Sequence, residues 1–267
     1  QRISNISELY KLNGSKYVQS EISSVYPMIK EDLLSSKNVL FSGTGCQIAA
    51  IRNYLPKDFN NLICVEVVCH GVPAPGLFKK YIKWLSQKGN APVLKYQFRS
   101  KCERPTGEHS KYYYETSKGF NSGYSYEDPY YGSFLCGSIL RNSCYKCNFK
   151  GRLRSGDITI GDFWGIEKTN SKINTDSGIS LVMINTEKGN RMFEPLKNRL
   201  DLYKSSFEEA EKFNPSISHS TASKKRISID CTKEDVIDTQ LSVNSSIKNR
   251  IKNRLPWRVK KILKRIL

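Results

Sequence analysis

A strand, a glycine-containing turn and a helix follow one another between residues 37 and 55, and this unit restricts the fold more than any other feature. The sequence there is KNVLFSGTGCQIAAIRNYL. The apolar run VLF predicts a strand, and Gly43 and Gly45 permit a sharp turn. Apolar residues at helical spacing follow until Pro56, which ends the helix. A second apolar run, NLICVEVVCHG at 61–71, predicts a buried strand. Together these segments indicate a β-α-β unit with two parallel strands.

The remaining chain alternates helical and strand patterns. We expect helices in PAPGLFKKYIKWLSQKG, PYYGSFLCGSILR and EKGNRMFEPLKNRL, and strands in PVLKYQFRS, KYYYETS, DITIGDFW and ISLVMINT. The first of these helices carries Leu77, Tyr81, Trp84 and Leu85 on one face. These patterns predict a mixed α/β (α+β) fold, in which the N-terminal β-α-β unit is followed by a mixed sheet and a basic helical tail.

The length and composition fit a globular protein. The chain has 267 residues, of which 38% are hydrophobic, and this is enough for a sizeable core. No apolar run approaches the roughly 18 residues that a membrane span needs. The first residues, QRISNISELYKLNG, lack the basic start and apolar stretch of a signal peptide. We therefore expect a cytoplasmic protein.

Half of the formal net charge of +18 lies in the C-terminal tail. The segment 247–267 contains nine basic residues and no acid, and Leu255, Val259, Ile262, Leu263 and Ile266 fall on one helical face. A basic amphipathic helix suits an anionic membrane surface or an acidic partner. The alternative is a helix that docks on its own domain. Because the charge is concentrated in a tail and not in a groove, no nucleic-acid partner is expected, and peripheral contact with the inner membrane face is the expectation.

Eight cysteines are many for a chain of this size, and reduced thiols with some metal ligands are the expected state. Cys144 and Cys147 form a C-x-x-C pair, which can hold a metal, form a redox disulfide or have no function. Two residues between ligands let a turn direct both sulfurs at one point, as in zinc and iron–sulfur sites. Cys46, at a helix N-terminus, and Cys69, at a strand end, are the candidates that complete the set, because both follow strands of the β-α-β unit.

The other four cysteines have different expectations. Cys64 lies inside a strand and Cys136 inside an apolar helix, so we expect both in the core. Cys102 lies in a polar loop and is a weaker ligand candidate, whereas Cys231 lies in the polar C-terminal region and is expected to have no role.

Several motifs in a fixed order resemble the beta-subunit family of coenzyme F-420 hydrogenases and dehydrogenases. They are VLFSGTGCQIAAIRNYL, CHGVPAPGLFKKYIKWL, FRSK, LRNSCYKCNFKGRLRSGDITIGDFWGI and ISLVMINTEKG. The similarity extends from about Gly14 to Ser220. It implies domains at 1–58 (an N-terminal beta-subunit region) and 59–220 (an iron–sulfur and flavin domain), with the tail at 221–267. It also implies an oxidoreductase that relays electrons between a ferredoxin-like donor and a flavin, deazaflavin or biosynthetic acceptor.

The resemblance implies a [4Fe–4S] cluster and FAD. Cys46, Cys69, Cys144 and Cys147 are then the cluster ligands. The basic residues Lys146, Lys150, Arg152 and Arg154 either offset the charge of the cluster or form an ordinary solvated loop.

Flavin contacts are assigned to three segments. The glycine turn, with Gly43, Thr44, Gly45 and Gln47, is placed where a helix N-terminus can bind a phosphate. Arg99 and Lys101 of FRSK are placed to neutralise a diphosphate or reduced flavin. Asp162, Phe163 and Trp164 are placed to wall the flavin ring, with the alternative that the two aromatic residues belong to the core.

The sequence departs from the family pattern at three points. Gly45 stands where members usually have proline, and this is expected to make the turn less stiff. The segment CERPTGEH follows FRSK in place of a Gly-Trp pair, and the N-terminal ferredoxin module of many members is lacking. Preceding residues or a separate protein would supply that module. A basic zinc-binding, nucleic-acid-binding module without catalytic activity is the alternative function.

Overall fold

The computed structural model describes residues 1–100, 111–169, 173–175, 178–222, 226–227, 229–230, 232–233 and 235–241. The strands in this part of the chain are β1 Val39–Thr44, β2 Leu62–Val67, β3 Val93–Ser100, β4 Lys111–Thr116, β5 Gly119–Tyr124, β6 Ile158–Asp162 and β7 Ser180–Ile184. The α-helices are α1 Val25–Leu34, α2 Gly45–Tyr54, α3 Leu77–Lys88, α4 Pro129–Leu135, α5 Ile166–Thr169, α6 Glu187–Phe193, α7 Phe207–Phe213 and α8 Val236–Gln240. The predicted mixed α/β fold is confirmed.

Four strands form a mixed sheet in the order β1-β2-β6-β7. β1 pairs in parallel with β2, and β2 pairs in parallel with β6, whereas β7 runs antiparallel to β6. In this register Thr44 lies opposite Val67, and Val67 lies opposite Ile160. The predicted parallel β1–β2 pair is confirmed, and the carboxyl ends of three neighbouring strands share one edge of the sheet.

The helices α1 and α2 cover one face of this sheet. Because apolar residues recur at helical spacing, each helix presents a stripe to the strands. The resulting core contains Ile29, Leu33, Phe41, Ile48, Ile51, Leu55, Phe59, Leu62 and Cys64. Cys64 is fully buried on β2, as predicted.

The described residues divide into two compact units. The first contains the described residues of 1–13, 19–71 and 141–222, and the second contains those of 14–18, 72–140 and 226–241. The second unit therefore interrupts the chain between the paired strands β2 and β6. This division differs from the predicted boundaries at 1–58, 59–220 and 221–267, since a boundary after residue 58 would separate β1 from its partner β2.

The second unit combines an antiparallel sheet, in the order β3-β4-β5, with α3 and α4. Its interior is aromatic: the rings of Tyr81 and Tyr130 stack with centroids 5.2 Å apart, and both side chains are fully buried. The prediction that Cys136 is a core residue is wrong, because this cysteine is exposed. It lies at the C-cap of α4, a helix that ends at Leu135, and so falls beyond the buried turns.

The helix predicted in EKGNRMFEPLKNRL is shorter than expected. It begins as α6 and continues as a 3-10 helix over Glu194–Arg199, where Pro195 lacks the amide hydrogen that an α-helical turn needs. No helix in the described residues is long and apolar enough to cross a membrane.

A buried carboxylate lies within the aromatic interior of the second unit. Asp128 is 2% exposed and caps α4 by accepting a hydrogen bond from the Tyr131 amide at 2.6 Å. The Tyr81 hydroxyl donates to the same carboxylate. Burial raises the pKa of Asp128 to about 6, and the hydrogen bonds from Tyr131 and Tyr81 oppose this rise only partly.

We expect this carboxylate to make the free energy of unfolding depend on pH. Because the folded-state pKa of Asp128 is raised to about 6, the folded chain binds the proton more tightly than the unfolded chain does. The stability contributed by this group is therefore present below about pH 4 and is lost as the pH rises through 6. The free energy of unfolding should fall by about 3 kcal/mol over this range. Urea denaturation of wild type and Asp128→Asn from pH 4 to 7 measures it. The Asn variant retains the cap acceptor and should lack this decline; parallel pH profiles would contradict the assignment.

Candidate functional site

Two of the four predicted cysteine ligands lie at the carboxyl edge of the mixed sheet. Cys46 is the second residue of α2, which begins directly after β1, and Cys69 lies two residues beyond the end of β2. Because β1 and β2 are parallel neighbours, both cysteines are at the same end of the β-α-β unit, as the sequence predicts. The Cys46 sulfur lies 3.1 Å from the Thr44 hydroxyl.

The C-x-x-C pair lies in a turn that is fixed at both cysteines. A 3-10 helix over Asn142–Lys146 contains Cys144, whose amide donates to the Arg141 carbonyl at 2.9 Å. The Cys147 amide donates to the Ser220 hydroxyl at 2.8 Å. Both cysteines are partly exposed, so neither thiol is locked inside the core.

Three of the four cysteines lie within electrostatic range of the Lys150 ammonium group, and Cys46 lies within range of Cys69. Burial raises the pKa of the Cys69 thiol to about 11; Lys150 opposes this rise, whereas Cys144 and Cys46 add to it. Burial lowers the pKa of Lys150, and the neighbouring Cys69, Cys147 and Cys144 oppose that change. The fold therefore brings three distant segments of sequence within electrostatic range of one another.

The spacing of these thiols is wider than that of a mononuclear site. Among the described residues, no three His, Cys, Asp or Glu side chains are close enough to hold a metal ion. In an iron–sulfur cluster each cysteine binds its own iron, so the sulfurs do not converge on one atom as they do in a zinc site.

A buried ion pair supports the same edge of the sheet. Glu66 of β2 and Arg154 have side chains that are each 1% exposed, and their charged groups are 3.0 Å apart. The Glu66 carboxylate also accepts from the amides of Ser155 and Gly156, and Arg154 donates to the Ile217 carbonyl. Sequence reasoning missed this pair, although a single acid inside the apolar run ICVEVV was a signal for it.

Gly45 is where α2 approaches this ion pair. A Cβ atom at position 45 would lie 2.9 Å from a Glu66 carboxylate oxygen and 3.0 Å from the Cβ of Phe149. Gly45 is buried, so the close packing limits the loss of stiffness expected from the missing proline.

The glycine turn is held by the Gln47 side chain. The Thr44 amide donates to the side-chain Oε1 of Gln47 at 3.0 Å, and the Gln47 side-chain nitrogen donates to the Ser20 hydroxyl at 3.0 Å. Gln47 therefore caps its own helix and uses an amide that a bound phosphate would otherwise contact. Gly43, Thr44, Gly45 and Gln47 remain predicted, not demonstrated, flavin contacts.

The predicted flavin wall is divided between core and surface. Phe163 is 8% exposed and packs with Ile166, Leu181 and Ile217. For this residue the structure agrees with the alternative that it belongs to the core. Trp164 leaves its indole 53% exposed. Asp162 is exposed, and its carbonyl accepts from the Asn214 side chain at 3.0 Å. Since β6 is parallel to β2, Asp162, the last residue of β6, and Trp164, two residues later, are at the same sheet edge as Cys69.

The remaining predicted residues belong to other parts of the chain. Arg99 lies on β3, in the other unit. Lys101, Cys102, Cys231 and the tail segment 247–267 lie outside the described residues.

Comparison with known proteins now adds to this geometry. The family model for the C terminus of the coenzyme F420 hydrogenase/dehydrogenase beta subunit matches residues 36–210, a range that includes all four clustered cysteines. The chain belongs to this family. The family name describes subunits of oxidoreductases, and the resemblance read from the sequence is confirmed. No curated protein matches the chain.

One similar solved structure is a chain of the F420-reducing [NiFe] hydrogenase complex from Methanosarcina barkeri. The identity is 19% and the TM-score is 0.45, over 78% of this chain. The match spans 65% of the length of that hydrogenase chain.

Proposed function

We propose that the chain is an iron–sulfur flavoprotein subunit that relays electrons between a ferredoxin-like donor and a flavin, deazaflavin or biosynthetic acceptor. The observation that carries the proposal is that Cys69 lies within electrostatic range of Cys46, Cys144 and Lys150, and that Lys150 lies within range of Cys144 and Cys147 as well. Membership of the hydrogenase and dehydrogenase beta-subunit family supports the same assignment.

The four cysteines would hold a [4Fe–4S] cluster, which supplies one-electron transfer, and FAD would couple it to two-electron chemistry. The role of this chain is to place the thiols and exclude water from one side of them. Cys69 and Lys150 are partly buried, whereas Cys46 is exposed and offers a route for electrons from a partner. The exposed indole of Trp164 at the same edge is the best-placed aromatic group for a flavin ring.

The zinc-binding alternative has less support. A mononuclear zinc site needs at least three ligands on one metal, and the described part of the chain contains no such group. A cytoplasmic location, predicted from the sequence, is part of the proposal. Membrane contact through 247–267 remains a prediction from the sequence.

Anaerobic reconstitution with iron, sulfide and FAD tests the proposal. We expect brown protein with an absorbance shoulder near about 400 nm, about four irons per chain and FAD that is retained through desalting. Metal analysis and flavin fluorescence after denaturation provide the counts. Colourless protein that retains zinc but no iron would exclude the cluster. Normal iron without flavin retention or binding heat would exclude FAD alone.

A further inference from the structure

Lys150 occupies a fixed position between the cysteine segments. It follows Cys147 by three residues and is partly buried. Its ammonium donates to the Cys69 carbonyl at 2.8 Å and to the Ser216 carbonyl at 3.1 Å. An ammonium has three donors. Two of them are thus used to hold the charge in place beside the backbone of Cys69, and Cys144 and Cys147 lie within electrostatic range of it.

The other cations near the C-x-x-C turn are arranged differently. Lys146 is exposed, and Arg152 pairs with Glu208 at the surface. The charge of Arg154 is compensated by buried Glu66. Among the described residues, no carboxylate pairs with Lys150. Its charge is therefore the one in this group that is partly buried and not neutralised by an acid.

We propose that Lys150 raises the reduction potential of the cluster bound by the four cysteines, and this inference rests on the proposed function. One electron passes from a reduced ferredoxin-class donor to the cluster; no bond is formed or broken, and the cluster gains one negative charge. A nearby fixed cation stabilises the more negative, reduced form. In a partly buried site this effect is less screened by solvent than at the surface. Lys150 acts through its charge and is not a ligand of the cluster.

The test compares Lys150→Met, Lys150→Gln and Lys150→Arg with wild type in the full chain after anaerobic reconstitution. Lys146→Met is the matched control, because it removes an equal but exposed charge from the same turn. The readouts are iron per folded chain and the midpoint potential, measured by electron paramagnetic resonance during titration with dithionite. We expect Met and Gln to lower the equilibrium constant for reduction at least tenfold, which for one electron corresponds to 59 mV. The variants Lys150→Arg and Lys146→Met should change this equilibrium constant less than threefold.

The outcomes separate the inference from the proposed function. Wild type that binds no iron would overturn the proposed function. Wild type and variants that bind equal iron and have equal potentials would overturn the role of Lys150 and leave the function standing. If Met fails to fold, Gln, which keeps a neutral donor, decides between charge and hydrogen bonding. A wild-type potential in the Gln variant would overturn the charge argument, and a lowered one would support it.

Discussion

Serine at position 144 or 147 should abolish iron incorporation, and serine at 46 or 69 should reduce it to less than a quarter of the wild-type value. A cluster needs four thiolates, and a hydroxyl is a poor ligand for iron because it is rarely deprotonated near neutral pH. The C-x-x-C pair should be the more sensitive, since its turn is fixed by amide hydrogen bonds from both cysteines. Iron per folded chain after anaerobic reconstitution measures the effect.

Two other cysteines provide matched controls for this experiment. Cys136→Ser changes an exposed cysteine of the other unit and should leave the iron content unchanged. Cys64→Ser places a hydroxyl in the core and should cost about 1–3 kcal/mol of stability without loss of iron from the folded fraction. Normal iron content in all four ligand variants would show that the C-x-x-C turn has only a structural role. Loss of iron in Cys136→Ser would show that the ligand set is wrong.

Removal of the Arg154 charge should destabilise the first unit strongly. In Arg154→Met the Glu66 carboxylate stays buried without its cation, and breaking a buried pair in this way costs about 3–5 kcal/mol. The amides of Ser155 and Gly156 still donate to Glu66, and they compensate for only part of the lost charge. Urea denaturation, followed by circular dichroism at neutral pH, gives the change in the free energy of unfolding.

The surface pair of Arg152 and Glu208 is the matched control. Both side chains are 64% exposed, so Arg152→Met should cost no more than about 1 kcal/mol. The double variant Arg154→Met with Glu66→Gln should recover part of the stability, because no unpaired charge remains buried. Equal destabilisation by Arg154→Met and Arg152→Met would show that the buried pair contributes no more than an ordinary surface contact.

Local patterns predicted the β-α-β unit and its cysteine pair because their information lies within about 30 consecutive residues. The strand, turn and helix around Cys46 need no distant partner to be recognised, and a parallel neighbour follows from the next apolar run. The meeting of Cys46 and Cys69 at one edge is then a consequence of chain direction. Leu77, Tyr81, Trp84 and Leu85 were likewise predicted on one face of α3; three of them are buried, and Trp84 is partly buried.

Features that depend on distant contacts were not predictable in this way. The pairing of Val65 with Ile158 joins strands that belong to separate apolar patterns, and residues 72–140 of the second unit lie between them. The Glu66–Arg154 pair and the contacts of Lys150 with Ser216 depend on that pairing. Local hydropathy also failed at Cys136, since an apolar segment does not reveal where a short helix ends.

The insertion of the second unit between β2 and β6 has a consequence for how the chain folds. Pairing of β2 with β6 must close a loop of more than 90 residues, from Val65 to Ile158, and this carries an entropic cost before any contact repays it. Residues Pro73 and Leu140, near the two ends of the insertion, form a bridge to each other. Once this bridge has formed, the chain that remains to be closed consists of residues 66–72 on one side and residues 141–157 on the other, far fewer than the whole insertion. The order with the lowest entropic barrier is therefore early formation of the inserted unit, then β2–β6 pairing, and assembly of the four-cysteine edge last.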